Sequence, residues 1–192
     1  MSEQSEQNTG FHIDLERTLV RDGPKFLSHT LVIKENKAYI MPTISSLLFC
    51  VVYIVVGCFL ILLASYVFIN SKQLDLSVFL GGFGVAITTF GFTLIQPFIK
   101  RSSFDKNIGT FSNSSDRDVK LERILSLQIN NKIVIRKQGL NYYCYELNML
   151  TKNGRRLNIL NHNNINQLLI DAQHLSEFLE VELEDYRREI LL

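Results

Sequence analysis

TISSLLFCVVYIVVGCFLILLASYVFI, residues 43–69, and LSVFLGGFGVAITTFGFTLIQPFI, residues 76–99, decide how this chain folds. Neither stretch contains Asp, Glu, Lys or Arg. At 27 and 24 residues, each exceeds the roughly 20 that cross a hydrocarbon core of about 30 Å as a helix. A helix on the surface of a soluble domain keeps a polar face. Two charge-free runs separated only by Asn70–Asp75 are therefore expected to form a helical hairpin with the bilayer as its solvent.

Basic residues near the ends of the runs set the expected orientation. Lys25, Lys34 and Lys37 precede the first run, Lys100, Arg101, Lys106 and Arg117 follow the second, and only Lys72 lies between them. Both termini are thus expected in the cytoplasm, with the chain a multi-pass membrane protein. The first apolar run starts too late, and is too long, for the h-region of a cleaved signal sequence. Ser2 follows Met1, where myristoylation needs glycine. Cys50 and Cys58 sit in the first run and Cys144 stands alone, without a Cys-x-x-Cys pair, which fits a reducing compartment.

Helices in lipid associate through close packing of small residues. In the second run Ser77, Gly81, Gly84, Thr88 and Gly91 recur at alternating steps of four and three. In the first, Thr43, Cys50, Gly57 and Ala64 recur every seven. Such heptad spacing keeps each set on one face, and the two faces are expected to meet in an antiparallel pair. No ionisable residue lies in either run to mark an ion path, so transport by this hairpin alone is not expected.

After residue 100 the pattern changes to short alternating runs. Residues 102–106 and 110–112 flank a break at Asn107-Ile108-Gly109. Leu125, Leu127 and Ile129 alternate with Ser126 and Gln128, with Asn130-Asn131 as a break before 133–136. Tyr143, Tyr145, Leu147 and Met149 alternate with Tyr142, Cys144, Glu146 and Asn148, the signature of a half-buried strand. Asn153-Gly154 marks a hairpin turn before 156–160. Asn163 or Asn164 caps a helix with Ile165, Leu168, Leu169, Ala172, Leu175 and Leu179 on one face and Gln167, Asp171, Gln173, His174 and Glu177 on the other.

The fold class expected is a membrane α-helical hairpin plus an α+β domain. The divisions are a cytoplasmic N-terminal segment (1–42, disordered over 1–10, with a β-hairpin over 30–40), the hairpin (43–99) and a cytoplasmic domain (100–192). The last is about six short antiparallel strands forming a small sheet or barrel closed by one C-terminal helix. Phe104-Asp105-Lys106 with Gly109, Tyr145-Glu146-Leu147-Asn148, Asn153-Gly154 and Asp171-Ala172 resemble a group of uncharacterised bacterial inner-membrane proteins. These have two transmembrane helices and a pleckstrin-homology-like cytoplasmic domain. The resemblance spans about half the chain and implies a fold without implying catalytic residues.

No chemistry-bearing constellation stands out. His12, His29, His162 and His174 have no metal-ligand companions at useful spacing, and His162 and His174 read as surface residues. Gly81-Gly82-Phe83-Gly84 lies inside an apolar run and lacks the strand–turn–helix setting of a nucleotide loop. No catalytic residue, metal or cofactor is expected, and the chain reads as a non-enzyme. From 100 to 156 there are 12 basic and 5 acidic residues, and from 157 to 192 there are 2 and 7. Lys100, Arg101, Lys106, Arg117 and Lys120 are therefore candidates for a lipid-facing basic patch. No basic stripe interleaved with aromatics suggests nucleic acid.

The expected function is a domain that binds a protein partner or anionic lipid headgroups from a membrane anchor. Immunity against a bacterial toxin, or service as a subunit of an oligomeric membrane complex such as a homo-oligomer, are the alternatives. Reporter fusions at residues 1 and 192 should both give cytoplasmic signals; signals on opposite faces would refute the hairpin reading.

Overall fold

The structure is a computed structural model that describes residues 15, 17–25, 27–99, 102–113, 118–136 and 139–187. These fall into two compact units: residues 27–118, and residues from 119 onward together with the described part of 15–25. The division lies after residue 118, and the N-terminal segment is split between the units. The 1–10 segment lies outside the described residues.

In the first unit, strands β1 (His29–Lys34) and β2 (Lys37–Pro42) lead into helices α1 (Ile44–Ser71) and α2 (Leu74–Ile99), followed by β3 (Ser102–Asp105) and β4 (Thr110–Ser112). β1 turns into β2 at Glu35-Asn36, with Glu35 at φ 50°. β2 pairs antiparallel with β3, placing Ala38 opposite Phe104, so the strand entering α1 pairs with the strand leaving α2. Ala38, Ile40, Phe104 and Phe111 are buried in this sheet. Asp105 accepts from Lys37 Nζ at 2.7 Å and from the Asn107 backbone at 2.9 Å. The Lys37 hydrogen bond, seconded by backbone donors, holds the Asp105 carboxyl below its ordinary range. Its contribution to stability is therefore present at neutral pH and lost as pH falls through that lowered value.

Both α1 and α2 are long and apolar enough to cross a membrane. Thr43 caps α1, its hydroxyl accepting from Ser46 N at 3.4 Å and donating to Leu27 O at 2.9 Å. The helices run beyond the apolar stretches, leaving Lys72-Gln73 as the connection in place of the expected six-residue loop. Lys72 takes a left-handed conformation, φ 51°, to end α1. Cys50, Gly57 and Ala64 are buried on α1, and Ser77, Gly84 and Gly91 on α2. The backbones approach closely: a Cβ built on Gly84 would lie 2.9 Å from Gly57 O, and one on Gly57 would lie 2.2 Å from Thr88 Oγ1. A Cβ on Gly81 would rest 3.6 Å from that of Ala64. Tyr53 meets Phe90 edge to face at 5.4 Å. Leu48, Val52, Phe59, Leu62, Val78 and Phe83 point outward and are exposed.

The second unit holds β5 (Val119–Lys120), a 3₁₀ turn (Leu121–Arg123), β6 (Ile124–Val134), β7 (Tyr142–Thr151), β8 (Arg156–His162), α3 (Ile165–Leu179) and β9 (Glu182–Asp185). β6, β7 and β8 form an antiparallel meander. β9 then pairs parallel with β6, giving the order β8-β7-β6-β9. The sheet is open at β8 and β9 and does not close into a barrel, and α3 is followed by one more strand. β6 also runs unbroken through Asn130-Asn131, where a break was expected, because both asparagines pair in register with β7. Gly154, at φ 79°, supplies the left-handed residue of the β7–β8 turn. Asn164 caps α3 by accepting from Asn166 N and Gln167 N. Leu127, Ile129, Leu147 and Met149 share one sheet face and, with Leu168, Ala172 and Leu175 of α3, form the core.

Replacing Gly84 by Val should destabilise the α1–α2 pair by roughly 1–3 kcal/mol, the usual cost of overpacking. A Cβ on Gly82 meets nothing within 4 Å, so Gly82→Ala should leave the unfolding midpoint in micelles unchanged. Equal midpoints for the two variants would contradict the described interface.

Candidate functional site

Pleating sends alternate side chains of a strand to opposite faces. The face of β6–β7–β8 away from α3 is built of polar groups rather than a second apolar layer. β6 supplies Gln128, Asn130 and Lys132; β7 supplies Cys144, Glu146 and Asn148; β8 supplies Arg156 and Asn158. Strand register places Asn130 opposite Glu146, Gln128 opposite Asn148 and Lys132 opposite Cys144. A bulge in the β7–β8 ladder at Leu147/Asn148 brings Asn158 beside Asn148. Glu146, Gln128, Asn130 and Asn148 are 0 % exposed, and Lys132 is 8 % exposed.

These side chains form one connected network. Lys132 Nζ pairs with Glu146 Oε1 at 2.5 Å. Asn148 Nδ2 donates to Glu146 Oε2 at 3.2 Å and to Asn130 Oδ1 at 3.1 Å. Arg156 donates from Nε to Gln128 Oε1 at 3.1 Å and from Nη2 to Asn130 Oδ1 at 3.2 Å. Asn158 Nδ2 donates to Asn148 Oδ1 at 2.9 Å.

What covers this face is the chain's own strap, residues 15 and 17–25, which is neither helix nor strand. The strap is gripped almost wholly by its main chain. Glu146 accepts from Leu19 N through Oε2 at 2.9 Å and from Val20 N through Oε1 at 3.0 Å. Successive N–H groups of a strand point opposite ways; two aimed at one carboxylate make an anion-holding nest. Lys132 Nζ donates to Val20 O and, at 2.8 Å, to Asp22 O. Asn130 Nδ2 reaches Leu15 O at 2.9 Å, and Arg156 Nη1 reaches Arg17 O at 2.9 Å. Tyr142 OH donates to Gly23 O at 2.7 Å, and Asn163 Nδ2 to Lys25 O at 2.7 Å. Hydrogen bonds to charged groups contribute about 1.5–3 kcal/mol each, so the ionic members hold the strap most firmly.

One contact selects a residue type. A Cβ at Gly23 would fall 2.2 Å from Cys144 Sγ, so only glycine fits at that point without displacement. Burial pushes the Cys144 thiol pKa up, which favours its protonated form.

The sequence candidates fall elsewhere. Lys100, Arg101 and Arg117 lie outside the described residues. Lys106 is exposed in the turn between β3 and β4, in the first unit. Lys120 is exposed in the second unit, 3.6 Å from Glu122. His12 is outside the described residues, and His174 is exposed. His162, read as a surface residue, is instead 0 % exposed. It packs against α3 with Nε2 3.4 Å from Asp171 Oδ2, and Asp171 is correspondingly buried although its helical position suggested the polar face. Register explains this: His162 lies opposite Tyr145, on the face that α3 covers. Among the described residues, no group of three or more His, Cys, Asp or Glu is placed to hold a metal ion.

Sequence reasoning misses the network and the strap. The signal is present in the alternation of Cys144, Glu146 and Asn148 in β7, which reads as the solvated side of a half-buried strand. Comparisons with models of protein families and with curated proteins yield no match to this chain.

Glu146→Ala should destabilise the second unit by about 3–5 kcal/mol, because it leaves Lys132 buried without its carboxylate. It should also speed hydrogen exchange at the Leu19 and Val20 amides. Unchanged stability and unchanged exchange at those two amides would show that Glu146 does not hold the strap.

Proposed function

We propose that this chain is a membrane-anchored binding protein that performs no chemistry of its own. In this reading α1 and α2 lie in a bacterial inner membrane, both termini are cytoplasmic, and the unit from 119 onward holds a segment of a protein partner. The observation that carries it is the buried polar face of β6–β8, whose charged and amide side chains converge on polypeptide main chain.

The docked strap supports the two-crossing topology. Residues 17–25 and 119–187 form one unit although α1 and α2 lie between them in sequence. Both must then be on the same side of any membrane the chain crosses, which needs an even number of crossings. A sheet backed by one amphipathic helix also agrees with kinship to pleckstrin-homology-like domains, which remains part of this proposal.

A protein ligand is favoured over a lipid headgroup by the chemistry of the face. Its two buried charges, Lys132 and Glu146, neutralise each other, and the carboxylate accepts N–H groups, which an anionic phosphate does not offer.

A photo-cross-linking residue placed at Asn158 in the full chain, in membranes, should form a discrete adduct with a protein. The same residue at Glu122 should not, and the adduct should disappear in a Glu146→Gln background. Adducts to lipid alone, or protein adducts indifferent to both controls, would overturn the reading.

A further inference from the structure

Three features of the strap set it apart from an ordinary surface loop. Its main chain is bound at Leu15, Arg17, Leu19, Val20, Asp22, Gly23 and Lys25 by side chains of the second unit. Arg17, Leu19, Arg21, Asp22 and Lys25 themselves are exposed, Leu19 to 41 %. Its described residues form no ladder with any strand. The face therefore recognises the course of a polypeptide backbone, while the five exposed side chains along it are free to vary.

We propose that the strap is a resident ligand of this face, exchangeable for a bent segment of another protein with the same backbone pattern. This rests on the binding function proposed above and specifies its ligand and its control. The ligand presents two successive N–H groups to Glu146, carbonyls on either side to Lys132, Arg156 and Asn130, and a glycine three residues after the second N–H. That glycine is the sequence requirement, since any Cβ there meets Cys144. A foreign segment fits because recognition rests on main chain that every polypeptide shares, whereas a strand-like peptide fails because its successive N–H groups diverge.

Cis attachment sets the threshold for exchange. The tethered strap competes at an effective concentration set by the span and stiffness of its link, here residues 26–118, and occupancy by the strap weakens the apparent affinity of an outside ligand in proportion. Releasing the strap is therefore the controlling step.

The probe is a fluorescent peptide of residues 15–25, titrated against the full chain in detergent micelles. Gly23→Val in the protein expels the strap and leaves the face intact, so the peptide should bind this variant at least about tenfold more tightly than the unsubstituted chain. N-methylation of the peptide at Leu19 and Val20 should abolish binding, as should Glu146→Gln added to the Gly23→Val protein. Equal affinity for both proteins, or binding indifferent to N-methylation, would overturn the proposal.

Gly23→Cys provides a second route if Gly23→Val does not fold. Under mild oxidation it should link within one chain to Cys144, and the linked protein should refuse peptide until reduced. Disulfide-linked dimers in place of the internal link would overturn the proposal and assign the strap's site to a second copy. A Gly23→Val chain that forms the protein adduct at Asn158 but ignores the peptide would refute the resident ligand while leaving the binding function standing. Peptide binding without that adduct would do the reverse.

Discussion

The Glu146 carboxylate lies wholly out of water in the middle of β7, and a buried ion needs both a counter-ion and hydrogen bonds to its remaining lone pairs. Lys132, across the strand pair, supplies the charge. Asn148 and the amides of Leu19 and Val20 supply the rest. The sheet satisfies only part of this demand from its own residues, and the N-terminal strap completes it. One electrostatic requirement thus joins two stretches of chain that are more than a hundred residues apart in sequence.

A different constraint governs the hairpin. The outward faces of α1 and α2 are suited to lipid tails, which give apolar side chains little reason to prefer one another. Contact must then come from proximity of the backbones, and it does: Gly57, Gly84 and Gly91 each sit where a Cβ would strike the opposite helix. Polar pairing adds local anchors at the helix start, where Thr43, Ser46 and Leu27 share hydrogen bonds.

Legibility in the sequence follows from how local each cause is. The apolar runs are visible because the absence of charge over 43–69 and 76–99 needs no tertiary context. Asn153-Gly154 and the apolar positions of α3 are visible because turn chemistry and helical spacing are local too. The continuity of β6 through Asn130-Asn131 is hidden, because asparagine usually signals a turn unless cross-strand partners employ it. His162 and Asp171 are easily misplaced because a polar pair that buries itself against a helix looks, residue by residue, like two surface positions. The strap is hidden most deeply, since main-chain recognition leaves almost no trace in side-chain identity. Gly23 and Glu146 are its visible residues, and neither announces the other.

That same silence bears on what the face can recognise. A pocket shaped for side chains gains specificity by excluding wrong shapes, at the cost of accepting few sequences. A face that holds backbone through a carboxylate, an ammonium, a guanidinium and amides accepts many sequences and rejects by conformation, with Cys144 as its one steric test. Low sequence specificity becomes tolerable when the encounter is confined. If the chain is held in a membrane as proposed, partners tethered to the same surface would be met at concentrations far above their bulk values, so modest intrinsic affinity would suffice. In the proposed function the strap would keep the buried charges engaged when no partner is present, and would set the local concentration that a partner must exceed.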